Sequence, residues 1–359
     1  MRMIVRWMTA VMVGLAIAAG AVAQENTPHA SEQALKTWWS APKGVNKSSY
    51  NCPKAVGLPK DIVAFDFYTD AKHSIPDPTR MKAYADAERT FDLPMEAAEH
   101  AADAYQQSGK TSAAVCVVQL LKAVAASDAM TGTKASNQSY YLQNWVLGGM
   151  AVAYLKVMPA HAASNEDDAL ITGWMGKVGW QVEAYFEARR QKKTSDGQNN
   201  HLYWAGFAAM AAAIAANDHK LFDWGVQTYW DGVHNIQPDG TLPLEMGRGQ
   251  KALHYHLFAV TPLVMMAELG EANGLPMYAA NNQALQKLAV RCLAGLADNS
   301  YFRLKSGVEQ DTPNNGKIKS DDIDWAVPYA KRFPDPRISG LINQVGVGFY
   351  KYIGGMPPG

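Results

Sequence analysis

The stretch Asn200-His201-Leu202-Tyr203-Trp204-Ala205-Gly206-Phe207-Ala208-Ala209-Met210-Ala211-Ala212-Ala213-Ile214-Ala215-Ala216 decides the fold. It is Ala-rich, its apolar side chains recur at three- and four-residue spacing, and it predicts a helix over 200–217. Asn199 before it is a good N-cap residue, and Asn217-Asp218 after it is helix punctuation. Working outward, the same pattern predicts helices over 81–91, 94–108, 111–128, 137–157, 165–189, 219–233, 249–272 and 279–297. Breaks fall at Ser108-Gly109-Lys110, Gly132-Thr133, Pro238-Asp239-Gly240 and Asn273-Gly274. Strand-like alternation is almost absent. Short linkers between helices of similar length favour antiparallel neighbours stacked around one core, and no linker is long enough to separate domains. The reading is therefore an all-α body over 81–359. Residues 24–80 carry Pro, Gly, Lys and aromatics with little period, and are expected as an extended segment laid over that body.

The chain has 359 residues with 33 Lys+Arg against 33 Asp+Glu, a balance that excludes a strongly basic nucleic-acid binder and an acidic solvating tail. Hydrophobic residues at 48% supply a large core. At the N-terminus Arg2 and Arg6 precede an apolar run from Met8 to Ala19, and Ala21-Val22-Ala23 offers small residues for cleavage. That run is too short for a span of about 20 residues, so residues 1–23 read as a cleaved secretory signal and the protein as periplasmic or secreted. Losing Arg2 and Arg6 leaves 31 basic against 33 acidic residues.

Export exposes the three cysteines to an oxidising compartment. Cys52 lies in the polar segment Tyr50-Asn51-Cys52-Pro53, Cys116 in the apolar run Ala113–Leu121, and Cys292 in a helix that suits a buried free thiol. Cys52–Cys116 is the favoured disulfide, although the sequence permits three single pairings.

Four segments carry side chains fit for chemistry, and each has a plain structural reading when taken alone. Asn199-Asn200-His201 opens a helix, where Asn is an ordinary cap. Glu245-Met246-Gly247-Arg248-Gly249-Gln250, followed by His254-Tyr255-His256, reads as a helix start with a solvated Arg. Tyr68-Thr69-Asp70-Ala71-Lys72-His73, with Asp77 and Arg80 behind it, reads as a polar loop. Trp325-Ala326-Val327-Pro328-Tyr329 reads as packing. A metal site on His254 and His256 fails on geometry, because helical positions i and i+2 point about 200° apart. Neither HExxH nor a Cys/His ligand cluster occurs, so no cofactor is expected.

Together these segments are more specific than any one alone. Asn-Asn-His-x-Tyr-Trp, then Arg248 47 residues after His201 and Tyr255 seven further on, resembles the alginate lyases of polysaccharide lyase family 5. The resemblance runs over residues 45–335 and takes in Cys52, Cys116, Lys72, Tyr141, Trp145, the Asp239-Gly240 turn and Trp325-x-x-Pro-Tyr329. It implies an exported enzyme with an α/α toroid, an incomplete barrel of antiparallel helix pairs, whose N-terminal segment forms a lid. His201, Asn200, Arg248 and Tyr255 match the family's catalytic group, and Lys72 a substrate-binding lid lysine. Tyr68, Arg80, Tyr141 and Trp204 are the further candidates for holding substrate. Glycines flank Arg248, and Leu257-Phe258 stands where an Asn-Tyr pair often follows the catalytic segment.

The residue types suit the reaction so implied. In β-elimination on a polyuronate, C5 loses its proton, C4–O breaks and a C4=C5 double bond remains. The neighbouring carboxylate is already anionic, so donors must hold the extra charge. Asn200 and Arg248 are the candidates, Arg binding a carboxylate bidentately. Tyr255 would take the C5 proton and return one to the leaving oxygen, with Arg248 favouring its phenolate; His201 is the alternative base. In β-1,4-mannuronate the C5 proton and C4 oxygen lie on one side, so one Tyr can serve twice, which favours that polymer. Glucuronate differs only at C2 and stays an alternative. Lys72, Arg80, Arg248 and Lys251 are expected to line the cleft, with Arg189-Arg190-Gln191-Lys192-Lys193 as a further candidate. The expected partner is an anionic polysaccharide, with neither nucleic acid nor, once the signal is cleaved, a membrane; the chain is expected to act as a monomer. The competing classes are a non-catalytic polyuronate-binding or export protein and a toroid glycoside hydrolase. The latter needs a carboxylate pair that the sequence does not mark out.

Overall fold

The computed structural model describes residues 27–311 and 317–357, so the expected signal over 1–23 lies outside the described residues. Its helices are α1 (Pro78–Ser108), α2 (Thr111–Ala126), α3 (Asn137–Val157), α4 (Asn165–Gln191), α5 (Asn200–Ala216), α6 (His219–Asn235), α7 (Pro243–Met246), α8 (Ala252–Ala272), α9 (Ala280–Ala297) and α10 (Ser300–Ser306). Two more, α11 (Ala326–Arg332) and α12 (Pro336–Val345), follow. Helices α1, α3, α5 and α8 pack in succession as an inner ring. Each is backed by an outer partner, α2, α4, α6 and α9, which also touch in succession. This alternation of inner and outer antiparallel helices is the α/α toroid. Among the described residues, β-pairing is confined to isolated bridges such as Asn46 with Lys110 and Ile62 with Lys134.

The inner helices explain the alanine content. Every residue of α5 except His201 and Ala216 is buried, so the helix is apolar all round rather than amphipathic as expected. A helix packed on every side needs small residues where its neighbours approach. At Gly206 an added Cβ would lie 1.8 Å from the Thr228 hydroxyl of α6, so only glycine permits that approach. Helix α8 is of the same kind: Gly249–Ala272 is long and apolar enough to cross a membrane by composition, yet 89% of that window is buried as core.

Two boundaries differ from the sequence reading. The expected break between 91 and 94 is absent, because α1 runs through Pro94. Proline removes one backbone bond, but Phe91, Met95, Ala98, Ala101 and Ala102 on either side are buried, and their packing holds the axis. Helix α8 begins at Ala252 after a short 3-10 turn at Gly249–Lys251, so Arg248 lies ahead of the helix rather than on it. Asp77 caps α1 by accepting the Arg80 amide, and Gly109 ends it in the left-handed region at φ 68°.

Residues 27–77 hold no regular helix and drape over the ring. Cys52 is disulfide-bonded to Cys116 on α2 with Cα atoms 5.6 Å apart, while Cys292 is buried and free. Opening a cross-link that closes a loop of this length costs about 4 kcal/mol by the chain-entropy relation. Replacing both cysteines by alanine is therefore expected to lower unfolding stability by roughly 2–4 kcal/mol, read as a shifted denaturant midpoint. A midpoint unchanged from the oxidised parent would show that the segment is held by packing instead.

Candidate active site

The N-terminus of α5, the turn before α8 and the lid converge on a cleft of about 1290 Å³. Asn199 caps α5, its side chain accepting the His201 amide at 3.0 Å, which sets His201 at the first turn and facing the cleft. The imidazole lies on the Tyr141 ring, 3.8 Å between centroids at 18°. Tyr141 is fixed in turn by a 2.8 Å bond from its hydroxyl to Asp196. Arg189 also bonds Asp196, and although burial alone would raise that carboxyl, the bonds from Arg189, Thr194 and Tyr141 hold it below its usual range. Burial, with the nearby Arg248 cation, pushes the His201 pKa down to about 3, so the ring is neutral, and its buried Nδ1 has no partner among the described residues.

Tyr255 sits one turn into α8 with its ring 3.4 Å from the Arg248 guanidinium carbon. The loop placement of Arg248 produces this contact: Gly249, at φ 62°, turns the chain so that Arg248 folds back over the first turn of α8. Arg248 lowers the Tyr255 pKa as expected, but burial outweighs it and the net displacement is well above the ordinary phenol. At rest Tyr255 is a phenol, hydrogen-bonded at 2.9 Å to the hydroxyl of Tyr68.

That bond is one of several holding the lid. Tyr68 pairs across to Pro76 in a tight loop shaped by Asp70, whose carboxylate accepts the amides of Lys72, Ser74 and Ile75. Arg248 donates from Nε to the Lys72 carbonyl at 2.7 Å and from Nη2 to the His73 carbonyl at 2.6 Å. Gln250 donates to the Ser74 carbonyl at 3.2 Å, and Arg80 reaches the Tyr68 carbonyl at 3.4 Å. Lys72 and Arg80 remain exposed and line the cleft.

Three expected residues stand elsewhere. Asn200 is fully buried and does not line the cleft; its Nδ2 donates to both oxygens of Glu245, at 2.9 and 3.0 Å, and its backbone amide adds a third bond at 2.8 Å. A buried carboxylate is the stronger acceptor, so Asn200 ties α5 to α7, and the amide side chain that lines the cleft is that of Asn199. Trp204 is 1% exposed and donates to the Phe258 carbonyl, placing it beneath the cleft floor as core. Lys251 pairs with Asp311 at 3.1 Å, outside the lining. Of the 189–193 run only Arg189 reaches the cleft, since Arg190 pairs with Glu187 and Asp231. Trp325 and Tyr329 are buried packing.

The two histidines flanking Tyr255 separate as helical geometry requires. His254 lines the cleft, whereas His256 is buried, its Nδ1 bonding the Ala252 carbonyl and its Nε2 accepting the Leu242 amide at 2.9 Å. Asn199, Asp196, Phe258 and Tyr352 also line the cleft; of these, Asn199 lies inside the quoted Asn-Asn-His and Phe258 inside the quoted Leu257-Phe258, while Asp196 and Tyr352 left no signal.

Fold and cleft together define an α/α-toroid protein with a deep groove, aromatic-walled and cationic under its lid. A family profile described as alginate lyase matches residues 63–302. A polysaccharide lyase of Stenotrophomonas maltophilia (strain K279a) is 35% identical over 288 residues, 79% of this chain and 82% of its own. An alginate lyase of Pseudomonas syringae pv. syringae (strain B728a) is 34% identical over 234 residues, 64% of this chain and 60% of its own. Among solved structures, alginate lyase A1-III from Sphingomonas species A1 matches with TM-score 0.70 at 21% identity over 87% of each chain. A tetrasaccharide complex of a variant of that enzyme gives TM-score 0.73 at 22% identity, covering 87% of this chain and 86% of its own. The chain belongs to the alginate lyase family.

Burial sets a measurable property of the site. The pKa values of His201, His254 and His256 are pushed down to about 3, 4 and 4. A free imidazole titrates at about 6.5, so none of the three rings is expected to change charge between about pH 5 and 8. Ring chemical shifts followed by NMR check this; a His201 midpoint near 6.5 would show that the ring meets more water than the cleft allows.

Proposed function

We propose that this chain is a polysaccharide lyase that cuts β-1,4-linked mannuronate by β-elimination, leaving a 4,5-unsaturated uronate. Membership of the alginate lyase family supports the reaction class. The observation that carries the chemistry is the Tyr255 phenol lying against the Arg248 guanidinium, in one cleft with a neutral His201. Deprotonated Tyr255 takes the C5 proton; the C–H electrons form C4=C5, and the C4–O electrons leave with the glycosidic oxygen. That oxygen takes the proton back from Tyr255, which regenerates the base. In mannuronate both transfers occur on one face of the ring, so a single phenol suffices.

The substrate carboxylate needs donors. Arg248 supplies a fixed cation beside the phenol, and Asn199, whose Oδ1 is spent on the helix cap, lines the cleft with an amide nitrogen to offer as a donor. A neutral His201 offers one N–H and one acceptor nitrogen. Lys72 and Arg80 on the lid side are placed for neighbouring uronates, and Tyr141 fixes the imidazole plane. We also propose a periplasmic or secreted location, to which a disulfide on the draped segment is suited.

The test is absorbance of unsaturated uronate on poly-mannuronate, poly-guluronate and glucuronan. Growth is expected on poly-mannuronate; growth only on glucuronan would move the substrate to the C2 epimer, and binding without growth would make the protein a binder. Tyr255→Phe is expected to lose at least about 10²–10⁴-fold in kcat with binding kept, since it deletes only the acid–base hydroxyl. Full activity in that variant would remove Tyr255 from the mechanism.

The pH dependence carries a sign. Because the Tyr255 pKa is displaced upward, its base form accumulates only as pH rises, so kcat/KM is expected to climb through the neutral range into the alkaline. Arg248→Ala removes the contribution that lowers this pKa and should move the climb to higher pH as well as reducing the rate. A profile flat between about pH 7 and 9 would mean that a different group takes the proton.

A further inference from the structure

Two adjacent arginines close α4, and their surroundings use them differently. Arg190 is fully bonded: Nε and Nη2 donate to Glu187 at 2.8 and 3.2 Å, and Nη1 to Asp231 at 2.9 Å. Arg189 donates from Nε alone, to Asp196, and its two terminal nitrogens have no hydrogen-bond partner among the described residues. Arg189 lines the cleft, whereas Arg190 does not.

Local folding holds the Arg189 guanidinium in one place. The Thr194 amide bonds the Arg189 carbonyl at 3.1 Å, turning the chain back at the end of α4. A Cβ on Gly197 would lie 2.5 Å from that same carbonyl, so only glycine lets the turn press this close. The turn delivers one oxygen of Asp196 to Arg189 Nε, while the other accepts the Thr194 hydroxyl at 2.8 Å. The Tyr185 ring lies 5.2 Å from the guanidinium carbon and is itself stacked on Tyr140, 3.7 Å between centroids at 8°. One edge and one face are thus fixed, and the Nη1–Nη2 edge is left open.

Asp196 does not cancel this cation toward the cleft. The Arg189 side chain is 27% exposed and that of Asp196 6%, so the pair turns its positive end outward. Tyr141 relates the pair to the chemistry, since its hydroxyl bonds Asp196 and its ring carries the His201 imidazole. Arg189 therefore belongs to the α4 wall, reached from His201 through Tyr141, whereas Arg248 belongs to the lid side. Both cations act on that imidazole, each disfavouring its protonation.

We propose that Arg189 is a second carboxylate-binding residue of the cleft, whose open Nη edge takes the carboxylate of a uronate next to the one served by Arg248. A polyuronate carries one carboxylate on every sugar, so a cleft holding several sugars meets several anions. The planar fork offers two parallel N–H bonds to a carboxylate, which a lysine ammonium does not reproduce. This rests on the polyuronate lyase reading above and adds to it a contact on the α4 wall. Arg189 touches none of the reacting atoms.

Binding tests it on the full chain, with a mannuronate tetramer titrated by calorimetry into the Tyr255→Phe background. Adding Arg189→Gln is expected to raise Kd about tenfold, because charge-assisted bonds are lost. Arg189→Lys keeps a cation on Asp196, and so the anchoring of Tyr141, but lacks the fork; a similar rise is expected. With Tyr255 intact, Arg189→Lys should raise KM about tenfold on poly-mannuronate while kcat stays within about twofold, the split of an interaction equal in ground and transition states. A Kd unchanged in Arg189→Lys overturns the proposal, even where Arg189→Gln weakens binding, because the ion pair alone would then matter. A fall in kcat at constant KM would make Arg189 a support for Tyr141 and overturns it as well. If no unsaturated uronate forms on any polyuronate, the lyase reading fails, while the Kd comparison still decides whether Arg189 holds a uronate. A Tyr255→Phe protein that binds no tetramer overturns both.

Discussion

The guanidinium of Arg248 is where the site's demands meet. It lies on the face of Tyr255 at 3.4 Å and spends Nε and Nη2 on the backbone carbonyls of Lys72 and His73. One cation therefore favours the phenolate, fixes the ring and ties down the lid. A lysine, as a point charge on a flexible stem, does not provide a planar face for the ring and a fork of N–H groups for two carbonyls at once. The arrangement also accounts for the flanking glycines. Gly249 turns the chain at positive φ, which brings Arg248 back over α8; on a continuous helix it would stand two turns away from Tyr255.

Around that cation the two ring side chains nearest the chemistry, His201 and Tyr255, are buried and neutral. His201 is held flat on Tyr141, and burial drives its proton off. A charged imidazole would repel Arg248 and compete with it as the cation beside the phenolate, so a neutral one leaves that role to a single group. Burial has the opposite effect on Tyr255, where it raises the phenol and gives a strong base once the proton is gone. The same burial therefore produces a neutral ring at one position and a phenol that holds its proton at the other.

How much of this was legible follows from what kind of information each feature needs. The ring of helices was, because apolar periodicity over fifteen or more residues survives any local detail, and the α5 stretch alone places an inner helix. The gap expected between 91 and 94 is not there, because tertiary burial on both sides of Pro94 carries α1 through it. Asn200 and Asn199 show a finer limit: neighbours on a helix start point in different directions, and which amide meets the buried Glu245 depends on a contact 45 residues away. Trp204, a candidate for holding substrate beside the catalytic segment, finds the carbonyl its indole needs on Phe258, inside the ring. Within 189–193, side chains one residue apart diverge by about 100°, so only Arg189 faces inward. The C-terminal strap after α12 gave no signal, since Tyr352 stands among Gly, Lys and Pro without a period. Its anchor Lys156, bonded to the Gly354 and Met356 carbonyls, looks like an ordinary last-turn lysine of α3.

Two irregular segments, from opposite ends of the chain, thus complete a site that the helices only frame. The lid brings backbone carbonyls and Tyr68 over Arg248 and Tyr255; the strap brings Tyr352 against Trp145. Neither is held by secondary structure, so each is fixed by polar anchors: a disulfide and the Asp70 turn for the first, the buried Lys156–Asp103 pair for the second. A buried pair of that kind adds little net stability, because desolvation offsets its attraction, but losing one partner leaves an unpaired charge in the core. It therefore enforces one position of the strap more than it strengthens the fold.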